Sequence, residues 1–146
     1  MAPVNSIENL SNYLYVKFMV DLRKKLGDKA EKLAAQYLKR KGYKIIDQNV
    51  RNFLGEIDLV ARKDGAIVFV EVKASHSVQG FYPYDHFDLK KKKKLLQLSK
   101  IYLDKFRGEH DVRFDLVTVT KHIQNCGTRN DVQIDHFENV IQDSFK

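Results

Sequence analysis

The feature that most constrains the fold is the segment Gly55–Ser75, which contains two strand-like runs joined by Asp64-Gly65. Both runs are rich in β-branched and apolar residues, and Asp-Gly between such runs is a strong signal for a two-residue hairpin turn. With these two residues as the loop, Val60 lies opposite Phe69 in an antiparallel ladder. The segment therefore predicts a hairpin whose register is set by its turn.

The same register predicts a charged group at the far end of the hairpin, where Asp58 would lie opposite Glu71 and Glu56 opposite Lys73. The other face would be wholly apolar, formed by Ile57, Leu59, Ala61, Val68, Val70 and Val72. Two opposed carboxylates repel each other, and partial burial either raises their pKa values or recruits a cation. Oxygen ligands suit Mg²⁺ or Mn²⁺. A purely structural salt-bridge cluster is the alternative.

The rest of the chain predicts one α/β domain over residues 19–146, preceded by an N-terminal extension over residues 1–18. Apolar spacing and turn residues predict helices at 19–41, 88–106 and 138–144, and strands at 43–49, 113–120 and 132–137. Residues 75–87 are predicted to be irregular. The order helix, three strands, helix, strand predicts a mixed central sheet flanked by helices.

The charge is unevenly distributed. The chain of 146 residues carries a formal net charge of +7, and five lysines lie together at Lys90–Lys94. A local basic patch favours a polyanionic partner such as nucleic acid, although a solvated helix face is the alternative. The single cysteine, Cys126, excludes an internal disulfide and fits a cytoplasmic location. No apolar run approaches the ~20 residues of a membrane helix, so no membrane partner is expected.

Several motifs resemble those of the YraN-like family of uncharacterised bacterial proteins, in the PD-(D/E)XK nuclease superfamily. Asp58 is followed after twelve residues by Glu71-x-Lys73, the superfamily pattern. The matching segments are Gly27–Glu31, Ala34, Tyr37-Leu38, Gly42-Tyr43, Asn49-Val50-Arg51, Gly55–Leu59, Phe69–Lys73 and Arg113–Val117. The chain departs from the family at Ala30, where glycine is frequent, and has Ile57 instead of the superfamily's proline.

The resemblance implies a restriction-endonuclease-like core and metal-dependent hydrolysis of DNA phosphodiester bonds, with branched DNA of repair or recombination as one candidate substrate. Asp58, Glu71 and the backbone carbonyl of Val72 would hold Mg²⁺ or Mn²⁺. Lys73 would orient the attacking water and stabilise charge on the phosphate. Glu31, by similarity to junction-resolving members of the superfamily, would reach the site from the first helix.

Lys91 and Lys94 share one side of the second predicted helix, so we expect them to contact phosphates. Asn49 and Arg51 either contact phosphate or position the hairpin. The aromatic loop formed by Phe81, Tyr82 and Tyr84 either stacks on unpaired bases or packs over the core.

Three functions stay open at this level. They are a DNA endonuclease, a non-catalytic nucleic-acid-binding module with a nuclease-like fold, and a protein-interaction domain whose charged cluster is structural. A homodimer is one arrangement to test, because many junction-cutting members of the superfamily act in pairs.

Overall fold

The computed structural model describes residues 6–76, 88–122 and 131–142. It contains helices α1 (Ser6–Arg40) and α2 (Leu89–Leu103) and strands β1 (Lys44–Asn52), β2 (Gly55–Lys63), β3 (Ala66–His76), β4 (Val112–His122) and β5 (Asp131–Phe137). The predicted order of helix, three strands, helix and strand is confirmed, as is the additional edge strand near the C-terminus.

The five strands form one mixed sheet in the order β1-β2-β3-β4-β5. Neighbouring strands are antiparallel except for β3 and β4, which are parallel. A parallel pair needs a long crossover connection, and α2 lies within it. This is the mixed α/β architecture expected of a restriction-endonuclease-like core.

The turn of the predicted hairpin is confirmed. Asp64 and Gly65 have φ values of 48° and 81°, the left-handed geometry that a two-residue turn of type I′ requires at both positions. Val60 pairs with Phe69, as predicted, and the register of β2 and β3 is regular in the part of the ladder next to the turn.

The far end of the hairpin differs from the prediction. The ladder between β2 and β3 ends at Leu59 opposite Val70, so the expected pairs Asp58–Glu71 and Glu56–Lys73 are wrong. Glu56 instead pairs with Arg51 of β1. The strands part because a side chain takes over a backbone hydrogen bond, as described below.

Each helix covers one apolar layer of the sheet. The layer beneath α1 contains Ala30, Ala34, Ala35, Leu38, Tyr43, Leu59, Ala61, Val68, Val70, Val117 and Val119. The layer with α2 contains Ile57, Val60, Ile67, Phe69, Leu95, Leu98, Tyr102, Phe114, Leu116 and Ile141. Ile57 was expected with Leu59 and Ala61, but it packs in the other layer. The side-chain alternation of β2 is therefore interrupted at Asp58, where the ladder ends.

Helix α1 is longer than predicted, since it begins at Ser6 instead of Met19 and includes much of the predicted extension. No proline lies between Pro3 and Pro83 to stop it. Its N-terminal half exposes Leu10, Tyr13, Leu14, Tyr15, Val16, Phe18 and Val20. The domain boundary at residue 18 stays a prediction. No helix among the described residues is long and apolar enough to cross a membrane.

The structure confirms the predicted end of the first helix and contradicts the helix predicted near the C-terminus. Gly42 ends α1 with φ 85°, and the Tyr43 N–H donates to the Leu38 carbonyl at 3.0 Å, a Schellman-type cap. The helix predicted at 138–144 is absent over residues 138–142, where Asn139 has φ 53°. Its last two residues lie outside the described residues. The segment predicted to be irregular, 75–87, begins too early, because Ser75 and His76 belong to β3, and its remaining residues, 77–87, also lie outside the described residues.

Candidate active site

The candidate active site lies where β2 and β3 part. The backbone N–H of Val72 on β3 donates to Oδ2 of Asp58 on β2 at 2.8 Å. This carboxylate occupies the position that a strand carbonyl would hold in a continuous ladder, so it both separates the strands and is fixed by them. The Val72 carbonyl stays a predicted metal ligand.

Three carboxylates converge at this point. Oxygen atoms of Glu31, Glu56 and Asp58 all lie within 4.8 Å of one another. Helix α1 supplies Glu31, as the resemblance implied, and β2 supplies the other two. The predicted metal set did not include Glu56, although its i, i+2 spacing from Asp58 placed both side chains on one side of a strand and was the available signal.

Asn49 joins two of these carboxylates. With its amide nitrogen turned toward them, Asn49 donates to Glu31 Oε2 at 2.7 Å and to Glu56 Oε1 at 2.8 Å. Its backbone has φ 51°, which is uncommon for a residue other than glycine. The amide therefore holds a carboxylate of α1 against one of β2, which supports the positioning alternative for this residue.

Burial, and after it the crowding of negative charge, raises the pKa values of two carboxyls in the site. Burial, and after it the charge of Glu71, raises the pKa of Asp58 from 3.8 to about 8, against the opposing effect of the Val72 hydrogen bond. Burial, followed by the charge of Glu56, also raises the pKa of Glu31. Such a site binds either protons or a cation.

The donor set fits a hard divalent cation. All the converging side-chain groups are carboxylates, which are the ligands that Mg²⁺ and Mn²⁺ prefer, and the described residues of the cluster include no histidine or cysteine. Glu71 lies outside the 4.8 Å group but is close enough for its charge to act on Asp58.

Two lysines form the cationic side of the site. Lys73 Nζ lies 3.4 Å from Glu71 Oε1, and both side chains are largely buried. Burial alone would lower the pKa of Lys73, but its hydrogen bond with Lys91 of α2 and the charge of Glu71 raise it overall. The same hydrogen bond, followed by burial, lowers the pKa of Lys91. Two amines this close, beside carboxylates, form a position suited to an anion such as phosphate.

The other two predicted phosphate contacts lie at the β1–β2 end of the site. A Cβ on Gly55 would lie 2.6 Å from Lys94 Cε, so the Lys94 side chain lies directly over the start of β2. Arg51 Nε lies 3.3 Å from Glu56 Oε2 while its side chain stays 70% exposed. Both cations therefore border the acidic cluster. The aromatic residues of the loop 81–84 lie outside the described residues.

A second buried polar cluster, which the sequence prediction did not interpret, is centred on Asp115. Its carboxylate receives two hydrogen bonds from Arg113 at 2.9 Å and one from the Asn139 N–H at 3.0 Å, and it contacts His136 Nε2 at 2.8 Å. Burial alone would raise the pKa of Asp115, but His136 and Arg113 hold it below its ordinary value. A carboxylate this fully paired fastens β4 to β5 and to the chain that follows. The only sign of this cluster in the sequence was the motif Arg113-Phe114-Asp115, which places two of its members two residues apart on one strand.

The comparisons with known proteins agree with the motifs. Residues 30–119 match the model of "Uncharacterised protein family UPF0102", and this span contains every predicted site residue. A UPF0102 protein of Thermodesulfovibrio yellowstonii is 38% identical over 119 residues, which are 82% of this chain and 97% of that protein. A UPF0102 protein of Thermotoga maritima is 40% identical over 111 residues, or 76% of this chain and 92% of that protein. The chain therefore belongs to the uncharacterised family UPF0102, the YraN-like family that its motifs indicated.

Proposed function

We propose that this protein is a metal-dependent endonuclease that hydrolyses DNA phosphodiester bonds, with branched DNA of repair or recombination as the candidate substrate. The observation that carries the proposal is the acidic cluster of Glu31, Glu56 and Asp58 with the paired amines of Lys73 and Lys91 beside it. Phosphodiester hydrolysis needs both parts, because a cation must be held and the anionic phosphodiester group must be bound next to it.

The acidic cluster would hold Mg²⁺ or Mn²⁺. The resemblance implies Asp58, Glu71 and the Val72 carbonyl as ligands, and the geometry adds Glu31 and Glu56. When bound, the ion would polarise a phosphoryl oxygen and lower the pKa of a water molecule. Asp58, whose pKa is about 8, would release its proton as the cation binds, because ligation requires the ionised carboxylate.

The chain's own cations would bind and orient the substrate. Glu71 holds the Lys73 ammonium in place, so Lys73 is already positioned to donate to a water or a phosphate oxygen. Lys91 reaches the same point from α2 and would recover full charge beside a phosphate. Lys94 and Arg51 would extend the contact along the backbone of the nucleic acid.

Cleavage assays test the proposal directly. Labelled linear, flap and four-way-junction DNA would be incubated with Mg²⁺, with Mn²⁺ and with a chelator, using the wild type, Glu71→Ala and the control Glu109→Gln, which removes an exposed carboxylate. We expect metal-dependent cleavage in the wild type and the control, and its loss in Glu71→Ala.

Two other outcomes would replace the proposal. Metal-independent binding of junction DNA without cleavage, unchanged in Glu71→Ala, would identify the non-catalytic nucleic-acid-binding module. Absence of both binding and cleavage would identify the charged cluster as structural.

A further inference from the structure

The β1–β2 turn presents a bare aromatic ring beside the site. Phe53 is 88% exposed, the highest value among the large apolar side chains that the structure describes as exposed. A single exposed apolar residue is ordinary on a protein surface, so exposure alone decides nothing. The support beneath this ring is what distinguishes it.

The backbone on both sides of Phe53 is held. The Leu54 N–H donates to Asn52 Oδ1 at 2.8 Å, which closes the turn, and the Leu54 side chain packs against the α2 layer. Gly55 has φ 148° and lies directly beneath the Lys94 side chain. The turn is therefore anchored from below while the ring projects outward, so little conformational entropy would be lost when a planar group stacks on the ring.

The surroundings of the ring are cationic. Arg51, on the strand entering the turn, has a side chain that is 70% exposed, and Lys94 covers the strand leaving it. An aromatic ring flanked by cations is the arrangement with which proteins bind single-stranded nucleic acid, since bases stack on the ring while phosphates meet the charges.

The ring is also close to the acidic cluster. Only Leu54 and Gly55 lie between Phe53 and Glu56, so the two Cα atoms are at most about 10 Å apart, the length of three steps of extended strand. From these observations, we propose that Phe53 stacks on an unpaired base of the bound DNA, so that the substrate is DNA with a single-stranded base next to the scissile region. A base inside a duplex already has both faces covered, so only a flap, a junction or a single-strand boundary offers a free face. This inference rests on the proposed function for its DNA ligand.

A tryptophan reporter tests the stacking without requiring cleavage. The chain contains no tryptophan, so Phe53→Trp introduces the only indole. Its fluorescence would be followed while flap DNA or blunt duplex DNA is added in the presence of a chelator, with binding measured in parallel by anisotropy of labelled DNA. Val132→Trp is the matched control, because Val132 is exposed on β5 at the opposite edge of the sheet.

We expect flap DNA to quench Phe53→Trp as it binds, and to leave Val132→Trp unquenched. We also expect Phe53→Ala to weaken flap binding about tenfold, at the lower end of what one base–aromatic stack contributes, and to change duplex binding less than twofold. Flap binding with no quenching of Phe53→Trp and an unchanged affinity of Phe53→Ala would overturn the inference while leaving the proposed nuclease intact. Failure of the wild type to bind any DNA would overturn both.

Discussion

Replacing Asp58 with asparagine should remove part of the pH dependence of the protein's stability. The pKa of Asp58 is raised from 3.8 to about 8, mainly by burial and then by the charge of Glu71. Between these two values the folded protein keeps a proton that the unfolded chain has lost, so the free energy of unfolding decreases as the pH rises. Asparagine is neutral throughout and keeps an oxygen that can accept the hydrogen bond of the Val72 N–H.

The magnitude follows from the width of the pH window. Between pH 5 and the folded pKa of about 8 there are about three pH units, each corresponding to about 1.4 kcal/mol. The wild type should therefore lose about 4 kcal/mol over the range from pH 5 to pH 9, beyond any change that Asp58→Asn shows over the same range.

Urea unfolding of the metal-free protein at several pH values would measure this difference. A single domain of this size is suited to two-state analysis, and the comparison requires equal m-values for the two proteins. Asp64→Asn is the matched control, because it removes an exposed carboxyl from a turn position that asparagine also suits. Parallel stability curves for the wild type and Asp58→Asn would refute the assignment of a raised pKa to this carboxyl.

Three further predictions concern other parts of the structure. Lys91→Met should lower the slope of log Kd against log salt for DNA binding by about one and should also slow cleavage. Lys93→Met, which removes an exposed lysine of the same helix, should leave the cleavage rate unchanged. Equal effects of the two substitutions on cleavage would contradict a specific role for Lys91. Asn49→Gly keeps the backbone at φ 51° but removes the amide that holds Glu31, so Mn²⁺ affinity measured by electron paramagnetic resonance should fall about tenfold or more; unchanged affinity would exclude the positioning role. Asp115→Asn should lower the free energy of unfolding at pH 7 by about 3 kcal/mol. Because the pKa of Asp115 is lowered, the wild type should lose that advantage in urea unfolding as the pH falls below 3.8, and a pH-independent difference would count against it.

The local signals of the hairpin predicted its turn and its register, because Asp64-Gly65 restricts the backbone so strongly. The prediction failed one residue beyond Leu59. Strand periodicity assumes that backbone groups bond to backbone groups, and at Asp58 a carboxylate takes that place. The pattern of apolar and polar residues does not reveal where a side-chain oxygen replaces a backbone carbonyl as hydrogen-bond acceptor.

The site was predictable to the extent that its residues lie in motifs. The spacing singled out Asp58 and Lys73 as candidates, and the resemblance singled out Glu31. Glu56 was missed as a metal candidate because its convergence with Glu31 depends on how α1 packs on the sheet. The contact of Lys73 with Lys91 depends likewise on the crossover helix, which brings together residues with no local relation in the sequence.

The hydrogen bond from the Val72 amide to Asp58 makes that amide a natural spectroscopic reporter. An N–H bonded to an ionised carboxylate forms a shorter and stronger hydrogen bond than one bonded to a neutral acid. In a ¹⁵N–¹H correlation spectrum, the Val72 resonance should therefore shift downfield as the pH passes through about 8. Titration with a diamagnetic cation such as Mg²⁺ should displace this peak at lower pH, so that one backbone signal records the charge state of the site without any label placed in it.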